Sequence, residues 1–412
     1  MTAEHDAIAA LRIPNFRKYS LARFLLNASI QIQSVTVAWQ IYQITKQPLS
    51  LGMVGLAEAV PYILIALYGG HLADTLNRKK IITTVCFGLA VCSAIFFLIA
   101  NDTLGVLTRF GVLPIYGTIF ITGLLRGVIW PAMFGFWPTL VTNKSQIKNA
   151  VTWNSSLWQL SASIGPAIGG LLLQPLGISN VFLIDASLLF SSFLFYRTIP
   201  YTHVAIEDKT EEALWPKITE GIRFVFRNEL IIGSISLDLF AVFFGGAVAL
   251  LPAICNDILH VGSFEFGLLK AATGVGTMLT TLTLAFIPLQ KNAGKVLLWA
   301  VGGFAICIIG FGFSSIFWIS FALLFLSGAF DGVSVVIRGS IMQLFTPEKM
   351  KGRVSAVNNI FIGSSNELGA FESGLMAQWL GIGPSIVVGG VISLFVVSFT
   401  AAKAKKLRRL NL

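Results

Sequence analysis

Long apolar runs alternate with short clusters of Gly, Pro or charged residues along the whole chain. A helix that crosses a bilayer needs about 20 predominantly apolar residues, and roughly twelve runs of that kind follow one another here. The clusters between them carry the residues that end helices or form turns. The pattern predicts membrane spans at residues 17–44, 50–73, 80–100, 111–141, 148–174, 177–199, 229–256, 263–289, 294–314, 317–345, 353–379 and 383–402.

The composition supports a location in the bilayer. Hydrophobic residues make up 55% of the 412 residues and charged residues only 12%, and the mean hydropathy is +0.79. In soluble domains about a quarter of the residues are charged. The chain is therefore predicted to be a multi-pass membrane protein.

The basic residues fall almost entirely on one side of the predicted spans. Short cytoplasmic loops retain Lys and Arg, so this asymmetry predicts that both termini are cytoplasmic, and the opposite loops hold only Lys46 and Arg109. Topology and attraction to anionic membrane lipids explain the net charge of +10, and no nucleic-acid partner is expected. The bases on the predicted cytoplasmic side include Arg12, Arg17, Lys18, Arg78, Lys79, Lys80, Lys144, Lys148, Lys291, Lys295, Lys349, Lys351 and Arg353.

The sequence carries no recognisable pattern for catalysis or cofactor binding. The four cysteines lie within or at the ends of predicted spans without the paired spacing of metal or redox sites, and the four histidines are scattered over loops. A phosphate-binding glycine loop and a nucleophile elbow are both missing. We therefore expect no cofactor, no metal and no enzymatic activity.

The first short basic loop, between the second and third predicted spans, carries a characteristic sequence. Residues 69–80 read Gly-Gly-His-Leu-Ala-Asp-Thr-Leu-Asn-Arg-Lys-Lys. This segment resembles the signature of the major facilitator superfamily, which is Gly-x-Leu-Ala-Asp followed by Gly, Arg and a second base. Asn77 stands where that family usually has Gly, and a left-handed turn is expected there because Asn tolerates it best after Gly.

The resemblance implies an all-α membrane protein with the major facilitator fold, in which 12 transmembrane helices form two pseudo-symmetric six-helix bundles. Weak internal repetition agrees: a shift of 204 residues lays Asn154 over Asn358, and a shift of 212 lays Glu58 opposite Lys270. The predicted domains are a bundle at 1–199, a cytoplasmic linker at 200–228, and a bundle with a basic tail at 229–412. Apolar positions at helical spacing in the linker predict an amphipathic helix on the membrane surface.

Two motifs predict how the halves move. The segment from Gly165 to Gly170 resembles the Gly-Pro-x-x-Gly-Gly element of facilitator antiporters that export drugs, in which small residues permit close helix approach and the proline loosens the helix. In the loop signature, Asp74 can pair with Arg78 and face the start of span eleven near Arg353, which would latch the halves. The residues predicted to gate the conformational change are Gly70, Asp74, Arg78, Arg353, Gly165, Pro166, Gly169 and Gly170.

Acidic residues at membrane depth are candidates for the groups that couple proton movement to transport. Burial of an unpaired charge is costly, so such a residue has a partner or a function. Glu58 and Asp238 are predicted first as proton-coupling groups, followed by Asp331 and Glu367. For each of these acids a structural ion pair fits the sequence equally well, and for Asp185, on a peripheral span, the structural interpretation is favoured.

The resemblance further implies that spans one, four, seven and ten line a central cavity, with spans two, five, eight and eleven beside it. Arg126 and Asp331 stand at nearly corresponding points of the two halves, where they could meet across the cavity or bind a zwitterionic substrate. Polar stripes on these spans are expected to give selectivity. The predicted cavity residues are Asn27, Gln31, Ser34, Arg126, Asn154, Gln159, Lys270, Asn358 and Asn366.

Over almost its whole length the pattern resembles the bacterial drug and siderophore exporter branch of the superfamily. This implies a proton-coupled antiporter that exports a medium-sized organic molecule, a siderophore or an amphipathic drug, by alternating access. It also implies a monomer in the bacterial cytoplasmic (inner) membrane, with a small-molecule substrate, protons and membrane lipids as partners. Two alternatives stay open: a proton-coupled importer of a siderophore or other nutrient, and a membrane sensor that keeps the carrier fold without transport.

Overall fold

The computed structural model describes residues 8–102, 105–141, 143, 146–201, 214–287, 292–347 and 350–410. Throughout these ranges the chain forms helices joined by short loops, and none of the described residues lies in a β-strand. The α-helices are α1 (Pro14–Thr45), α2 (Pro48–Thr75), α3 (Arg78–Asn101), α4 (Val106–Phe110), α5 (Leu113–Phe136), α6 (Ile147–Thr198), α7 (Leu214–Arg227), α8 (Glu229–Phe244), α9 (Leu251–Asp257), α10 (Ser263–Phe286), α11 (Ala293–Phe313), α12 (Phe317–Phe345), α13 (Lys351–Leu380), α14 (Ile382–Lys403) and α15 (Lys405–Arg408).

With the exception of the seventh, the predicted spans coincide with these helices. Spans five and six both lie in α6, which breaks at Gly177, where the backbone adopts φ 75° and ψ 164°. Only glycine adopts such a conformation readily, so the element is two helices joined at this residue. Within the described ranges, 8 helical segments are long and apolar enough to cross a membrane by length and composition alone. The predicted all-α membrane fold is confirmed, and the described helices are consistent with twelve spans.

The seventh predicted span, 229–256, is interrupted in the structure. The helix α8 begins after Asn228, whose side-chain oxygen accepts hydrogen bonds from two backbone N–H groups of the first turn, and it ends at Phe244. A 3-10 turn, Ala247–Leu250, then leads directly into α9. At this break a Cβ on Gly246 would lie only 3.0 Å from a backbone oxygen of α13. The break therefore allows close packing against α13.

Contacts divide the chain into two compact units. The first unit comprises Met1–Gln40 and Val60–Glu207, and the second comprises Ile41–Ala59 and Asp208–Leu412. The end of α1 and the beginning of α2 thus group with the second unit, whereas the predicted domain 1–199 includes them. The domain boundaries near 199 and 229 stay a prediction.

The segment Ile41–Ala59 packs on α9 and α13 within the second unit. The hydroxyl of Tyr42 donates to the carboxylate of Asp257, and Nζ of Lys46 donates to an asparagine side chain of α9 over 3.1 Å. A Cβ on Gly52 would lie 3.0 Å from a backbone oxygen of α13. These contacts explain why the segment groups with the second unit.

A cluster of aromatic side chains forms part of the core of the first unit. Tyr19 of α1 is fully buried, and its ring lies 5.9 Å from that of Phe16, 6.1 Å from that of Phe136 and 6.0 Å from that of Tyr196. Rings at these separations contribute more than their buried area alone. The cluster joins α1, α5 and α6 at the end of the unit that is predicted to be cytoplasmic.

The helix α7 occupies the described part of the predicted linker, and residues 202–213 lie outside the described residues. Val225 is buried in the core of the second unit, whereas Ile222 and Phe226 are exposed. Exposed apolar side chains beside exposed arginines suit a helix at a membrane surface. The linker helix exists, and its location on the membrane stays a prediction.

Glycines bring α10 and α12 into backbone contact within the second unit. A Cβ built on Gly328 would lie 2.0 Å from the carbonyl oxygen of Thr273, and one on Gly276 would lie 2.1 Å from the carbonyl oxygen of Phe325. The Thr277 hydroxyl also donates to the carbonyl oxygen of Gly328 over 2.9 Å. Small residues permit such close approach between membrane helices. This packing fixes the orientation of α12, and α12 carries the charged residues Asp331 and Arg338.

Gly328→Ala should destabilise the protein, because the added methyl group would overlap the backbone of α10. Overpacking of this kind costs about 1–3 kcal/mol. Gly339→Ala is the matched control on the same helix, since nothing lies within 4 Å of a Cβ at that position, and Ala is favoured over Gly in helices by up to about 1 kcal/mol. Thermal unfolding in detergent should give a lower midpoint only for Gly328→Ala. Equal midpoints for the two variants would contradict the packing.

Candidate functional site

Arg338 is the centre of a buried charge cluster in the second unit. Its Nη1 contacts the carboxylate of Asp238, and its Nη2 lies 3.9 Å from Oδ1 of Asp331. Its Nε donates to the hydroxyl of Ser334 over 3.1 Å. The side chain of Asp238 is only 9% exposed, whereas that of Asp331 is 34% exposed. The guanidinium therefore connects a buried acid with a more accessible one.

Helix geometry explains this arrangement. Asp331, Ser334 and Arg338 stand at positions i, i+3 and i+7 of α12, which lie on one helix face. Asp238 approaches that face from α8, and the five N–H donors of a planar guanidinium can serve acceptors from both helices at once. A cavity of about 10 Å³ adjoins the cluster, about the room that one water molecule needs. It is lined by Asp238, Ala241, Val242, Val301, Phe304, Phe330, Asp331 and Ser334.

Asp185 is the centre of a second polar network, buried in the first unit. The hydroxyl groups of Ser29 and Ser93 donate to its two carboxylate oxygens, the latter over 2.6 Å. Gln33 donates from Nε2 to the same carboxylate over 3.2 Å and accepts a hydrogen bond from Arg126 over 3.1 Å. All five side chains are buried. The network therefore links α1, α3, α5 and α6 through buried hydrogen bonds, an arrangement that specifies packing.

The two arrangements correspond to each other in sequence. Arg338 follows Arg126 by 212 residues, which is one of the shifts of the internal repetition, and Asp238 follows Gln33 by 205. In each unit a buried arginine on the fourth span of that half contacts a polar residue on the first span. The partner is a neutral amide in the first unit and an acid in the second.

The structure brings together two of the four predicted coupling acids, Asp238 and Asp331. Glu58 is half-buried in α2, and Glu367 is half-buried in α13. A Cβ on Gly55 would lie 2.7 Å from the carbonyl oxygen of Glu367, so the helices that carry these two acids pack closely. The coupling role of all four acids stays a prediction.

The predicted cavity residues are distributed over both units. Asn154 accepts hydrogen bonds from Arg23 and from the hydroxyl of Tyr19, and Arg126 contacts Gln33. Asn366 is exposed, and its amide donates to a carbonyl of its own helix over 2.9 Å. Of the other predicted cavity residues, Asn27 is buried, and Gln31, Ser34, Gln159, Lys270 and Asn358 are half-buried. Contact of any of the nine with a substrate stays a prediction.

Arg78, a predicted gate residue, begins α3 and ties two helix ends together. Its Nε donates to the carbonyl oxygen of Ala73 and its Nη1 to that of Gly135, each over 2.9 Å. The cation thus lies at the C-terminal ends of α2 and α5, where helix carbonyls carry partial negative charge.

The prediction of a left-handed turn at Asn77 is wrong. The backbone of Asn77 is extended, and its side chain caps α3 by accepting a hydrogen bond from the N–H of Lys80.

The remaining gate residues lie in helices. A Cβ on Gly165 would lie 2.6 Å from Cβ of Gln31, and one on Gly169 would lie 3.2 Å from Cα of Ile32. The helices α1 and α6 therefore approach closely at these glycines, as small residues permit. A role in the conformational change stays a prediction for the whole set. Pro166 and Gly170 are buried in α6, Gly70 lies within α2, and the side chains of Asp74 and Arg353 lie outside the described part of the chain.

Several residues of the two networks were not among the predicted site residues. A signal for Arg338 exists in the sequence, because it follows Arg126 by a repeat shift and stands seven residues after Asp331 on one helix face. Ser29, Gln33 and Ser93 carry no comparable signal. Hydroxyl and amide side chains bond across membrane helices in general, and only the packing of four helices brings these three to Asp185.

Long apolar helices with charged groups buried between them define a multi-pass membrane protein. The profile of the family described as transmembrane secretion effector, a branch of the major facilitator superfamily, matches residues 5–411. The chain belongs to this family and is a major facilitator transporter, a carrier rather than an enzyme. The predicted superfamily membership is confirmed.

Relatives with curated descriptions cover most of the chain. It is 24% identical over 368 residues to the MFS-type transporter YfiS of Bacillus subtilis (strain 168), which covers 86% of this chain and 84% of the relative. It is 26% identical over 344 residues to the enterobactin exporter EntS of Shigella boydii serotype 18, with 84% and 80% covered.

Solved structures share the fold. A bacterial homologue of the iron transporter ferroportin in an inward-facing state superposes with a TM-score of 0.72 at 14% identity, covering 98% of this chain and 100% of that one. The nucleoside transporter NupG also superposes with a TM-score of 0.72, at 13% identity, covering 94% and 99%. These similarities support the major facilitator fold.

Proposed function

We propose that this transporter is a proton-coupled antiporter that exports a medium-sized organic molecule, a siderophore or an amphipathic drug, by alternating access. It acts as a monomer in the bacterial inner membrane, with both termini in the cytoplasm. The observation that carries the proposal is the contact of one buried arginine, Arg338, with two acids, Asp238 and Asp331.

The charge of this cluster suits a group that binds and releases one proton. With both carboxyl groups ionised, the three side chains carry one net negative charge. Binding of one proton makes the cluster neutral, while Arg338 keeps an ionised partner. Because a buried charge without a partner is strongly destabilising, two acids and one base can exchange a proton at lower cost than a single ion pair.

The network of the first unit lacks this property. Arg126 and Asp185 balance each other through Gln33. A proton on Asp185 would therefore remove the negative charge from this balanced network, and no second acid of the network is described that could replace it. We assign coupling to the acids of the second unit and a structural role to Asp185.

The unequal exposure of the two acids supports a direction for proton exchange within the cluster. Asp331 is the more exposed acid and adjoins the small cavity, so a proton reaches it first. Transfer to Asp238 would release Arg338 from its closest partner and favour its contact with Asp331. The contacts between α8 and α12 would then differ between the protonated and the deprotonated cluster. Alternating access needs a difference of this kind, because a ligand drives a conformational change only by making different contacts in the two conformations.

Export, rather than uptake, is supported by the relatives. The family description refers to secretion, and one relative at 26% identity is described as an enterobactin exporter. A siderophore or another amphipathic molecule of similar size is therefore the substrate class that we test first.

The test uses the purified protein in liposomes, with a pH gradient of either sign and a panel of a catecholate siderophore, a macrolide and a lipophilic dye. We expect movement of one compound opposite to protons, and its loss in Asp238→Asn and in Asp331→Asn. Substrate exchange without a gradient should persist in both variants, because they retain the fold. Glu229→Gln is the matched control: Glu229 lies on α8 like Asp238, is 42% exposed and pairs with Lys406 at 3.1 Å.

The outcomes separate the alternatives. Movement in the same direction as protons would identify an importer. Exchange that Asp238→Asn and Asp331→Asn leave fully coupled would move the proton site to other acids, with Glu58 and Glu367 next. A protein that binds a compound of the panel but never moves it would favour the sensor.

A further inference from the structure

An open groove of about 420 Å³ lies between α3 and α6 of the first unit. Its walls are apolar or small and include Phe87, Val91 and Ala94 of α3 and Ser187 and Phe190 of α6. The two phenylalanines are 48% and 45% exposed. In a membrane protein such exposed apolar side chains face lipid. The volume lies in the range of sites that hold small molecules.

The two helices run antiparallel past each other. The rings of Phe87 and Phe193 are 5.6 Å apart, and those of Phe96 and Phe182 are stacked at 5.1 Å. Nζ of Lys79 donates to the backbone carbonyl oxygen at the end of α6 over 2.9 Å. The beginning of α3 therefore lies directly beside the end of α6.

Exposed bases stand at this shared end of the groove. Lys80 precedes Phe87 by seven residues on α3, and Arg197 follows Phe190 by seven residues on α6, so each base shares a helix face with a residue of the groove. Both bases are exposed. Seven residues of helix are about 10 Å long, and the groove continues from there toward Ala94, about 10 Å further. One leaflet contributes about 15 Å of hydrocarbon, so the bases lie at headgroup level when the nearer half of the groove lies among the acyl chains of that leaflet.

We infer that this groove binds one anionic phospholipid, with an acyl chain between α3 and α6 and the headgroup phosphate at Lys80 and Arg197. Charge complementarity argues for this occupant. On the face of α3 that holds Lys80 and Phe87 and the face of α6 that holds Phe190 and Arg197, the only charged side chains described are basic, and they stand where a phosphate would lie. The predicted topology places them on the cytoplasmic side, where anionic lipids attract basic residues. The inference rests on the membrane location of the protein and is independent of the proposed substrate and coupling.

The test is native mass spectrometry of the full chain in detergent, titrated with phosphatidylglycerol or with phosphatidylcholine. The wild type should bind one phosphatidylglycerol in preference to phosphatidylcholine. Lys80→Ala/Arg197→Ala should lower that preference by about 25-fold, since two surface bases are removed. Lys295→Ala/Lys403→Ala removes two exposed bases from helix ends of the second unit and should leave the preference unchanged. Ala94→Leu narrows the groove and should weaken binding of both lipids.

Three results would overturn the inference. The first is equal loss in both double variants, which would indicate general attraction of anionic lipid to a basic surface. The second is no loss in either. The third is a dimer in the same spectra that Ala94→Leu dissociates, which would assign the groove to a second copy of the chain. Because the readout is lipid binding, failure of the transport proposal would not change any of these results.

Discussion

Arg338→Gln should cost about 3–5 kcal/mol of stability, the range expected when one partner of a buried ion pair is removed. The change leaves the buried carboxylate of Asp238 without its charged partner, close to a second acid, Asp331. It also removes the donor to Ser334. Denaturant unfolding of the purified protein in detergent, with helix content as the signal, measures the loss.

A double-mutant cycle shows whether the pair itself is responsible. Arg338→Gln/Asp238→Asn removes both charges, so it should regain most of the lost stability, because two amides can still form a hydrogen bond. Arg338→Lys keeps the charge but loses the fork that reaches both acids, and it should fall between the wild type and Arg338→Gln. If the effects of the two single changes simply added, the ion pair would not stabilise the second unit. Lys403→Gln, on the surface, should change stability by less than about 0.5 kcal/mol.

This cycle also separates stability from coupling. The double variant should fold, because the two most buried charges are removed together and the remaining acid, Asp331, is 34% exposed. It should not couple transport to protons, because one of the two exchanging acids is gone. A folded, uncoupled double variant is therefore the combination that the proposed function requires.

The helices could be predicted from the sequence because the bilayer imposes a simple demand, about 20 apolar residues for each span. The break at Gly177 coincides with the first residue of the sixth predicted span for the same reason, since Pro175 and Gly177 punctuate the apolar run. The break after Phe244 could not be predicted in this way. Gly and Ala residues continue there without any polar interruption, so hydropathy stays high while the backbone turns.

The candidate site could be predicted in part. Acids at membrane depth are costly, and this alone pointed to Asp238 and Asp331. It could not identify Arg338 as their common partner, because depth in the sequence does not give the helix face that meets a neighbour. The contact depends on the close packing of α12 on its neighbours, which becomes evident only once the helices are assembled.

Asn77 shows the opposite limitation. The family usually has glycine at this position, which predicts a left-handed turn. Asparagine, however, has a side chain that can accept a backbone hydrogen bond, and here it caps α3. The same loop is thus formed by a different interaction. A family pattern predicts where a helix begins more reliably than it predicts the backbone conformation of each residue.

Asp185→Ala should be among the most destabilising single changes in the first unit. It removes the acceptor for Ser29, Gln33 and Ser93, which are all buried. Ser29 also donates to the backbone carbonyl of residue 185 and Gln33 to the hydroxyl of Ser93, so Ser93 loses most. A buried donor left unsatisfied costs about 1–3 kcal/mol, and a loss of about that size is expected. Thermal unfolding in detergent measures it, and expression of folded protein gives a second readout.

Asp185→Asn distinguishes the contribution of charge from that of hydrogen bonding. The amide keeps one acceptor oxygen but removes the negative charge that balances Arg126 through Gln33. Its cost should therefore be lower than that of Asp185→Ala and should fall further when Arg126→Gln removes the opposing charge. Ser187→Ala is the matched control on α6, since that exposed hydroxyl bonds only a carbonyl of its own helix among the described contacts. Stability unaffected by Asp185→Ala would contradict the structural role of the carboxylate and would mean that the four helices are held together without it.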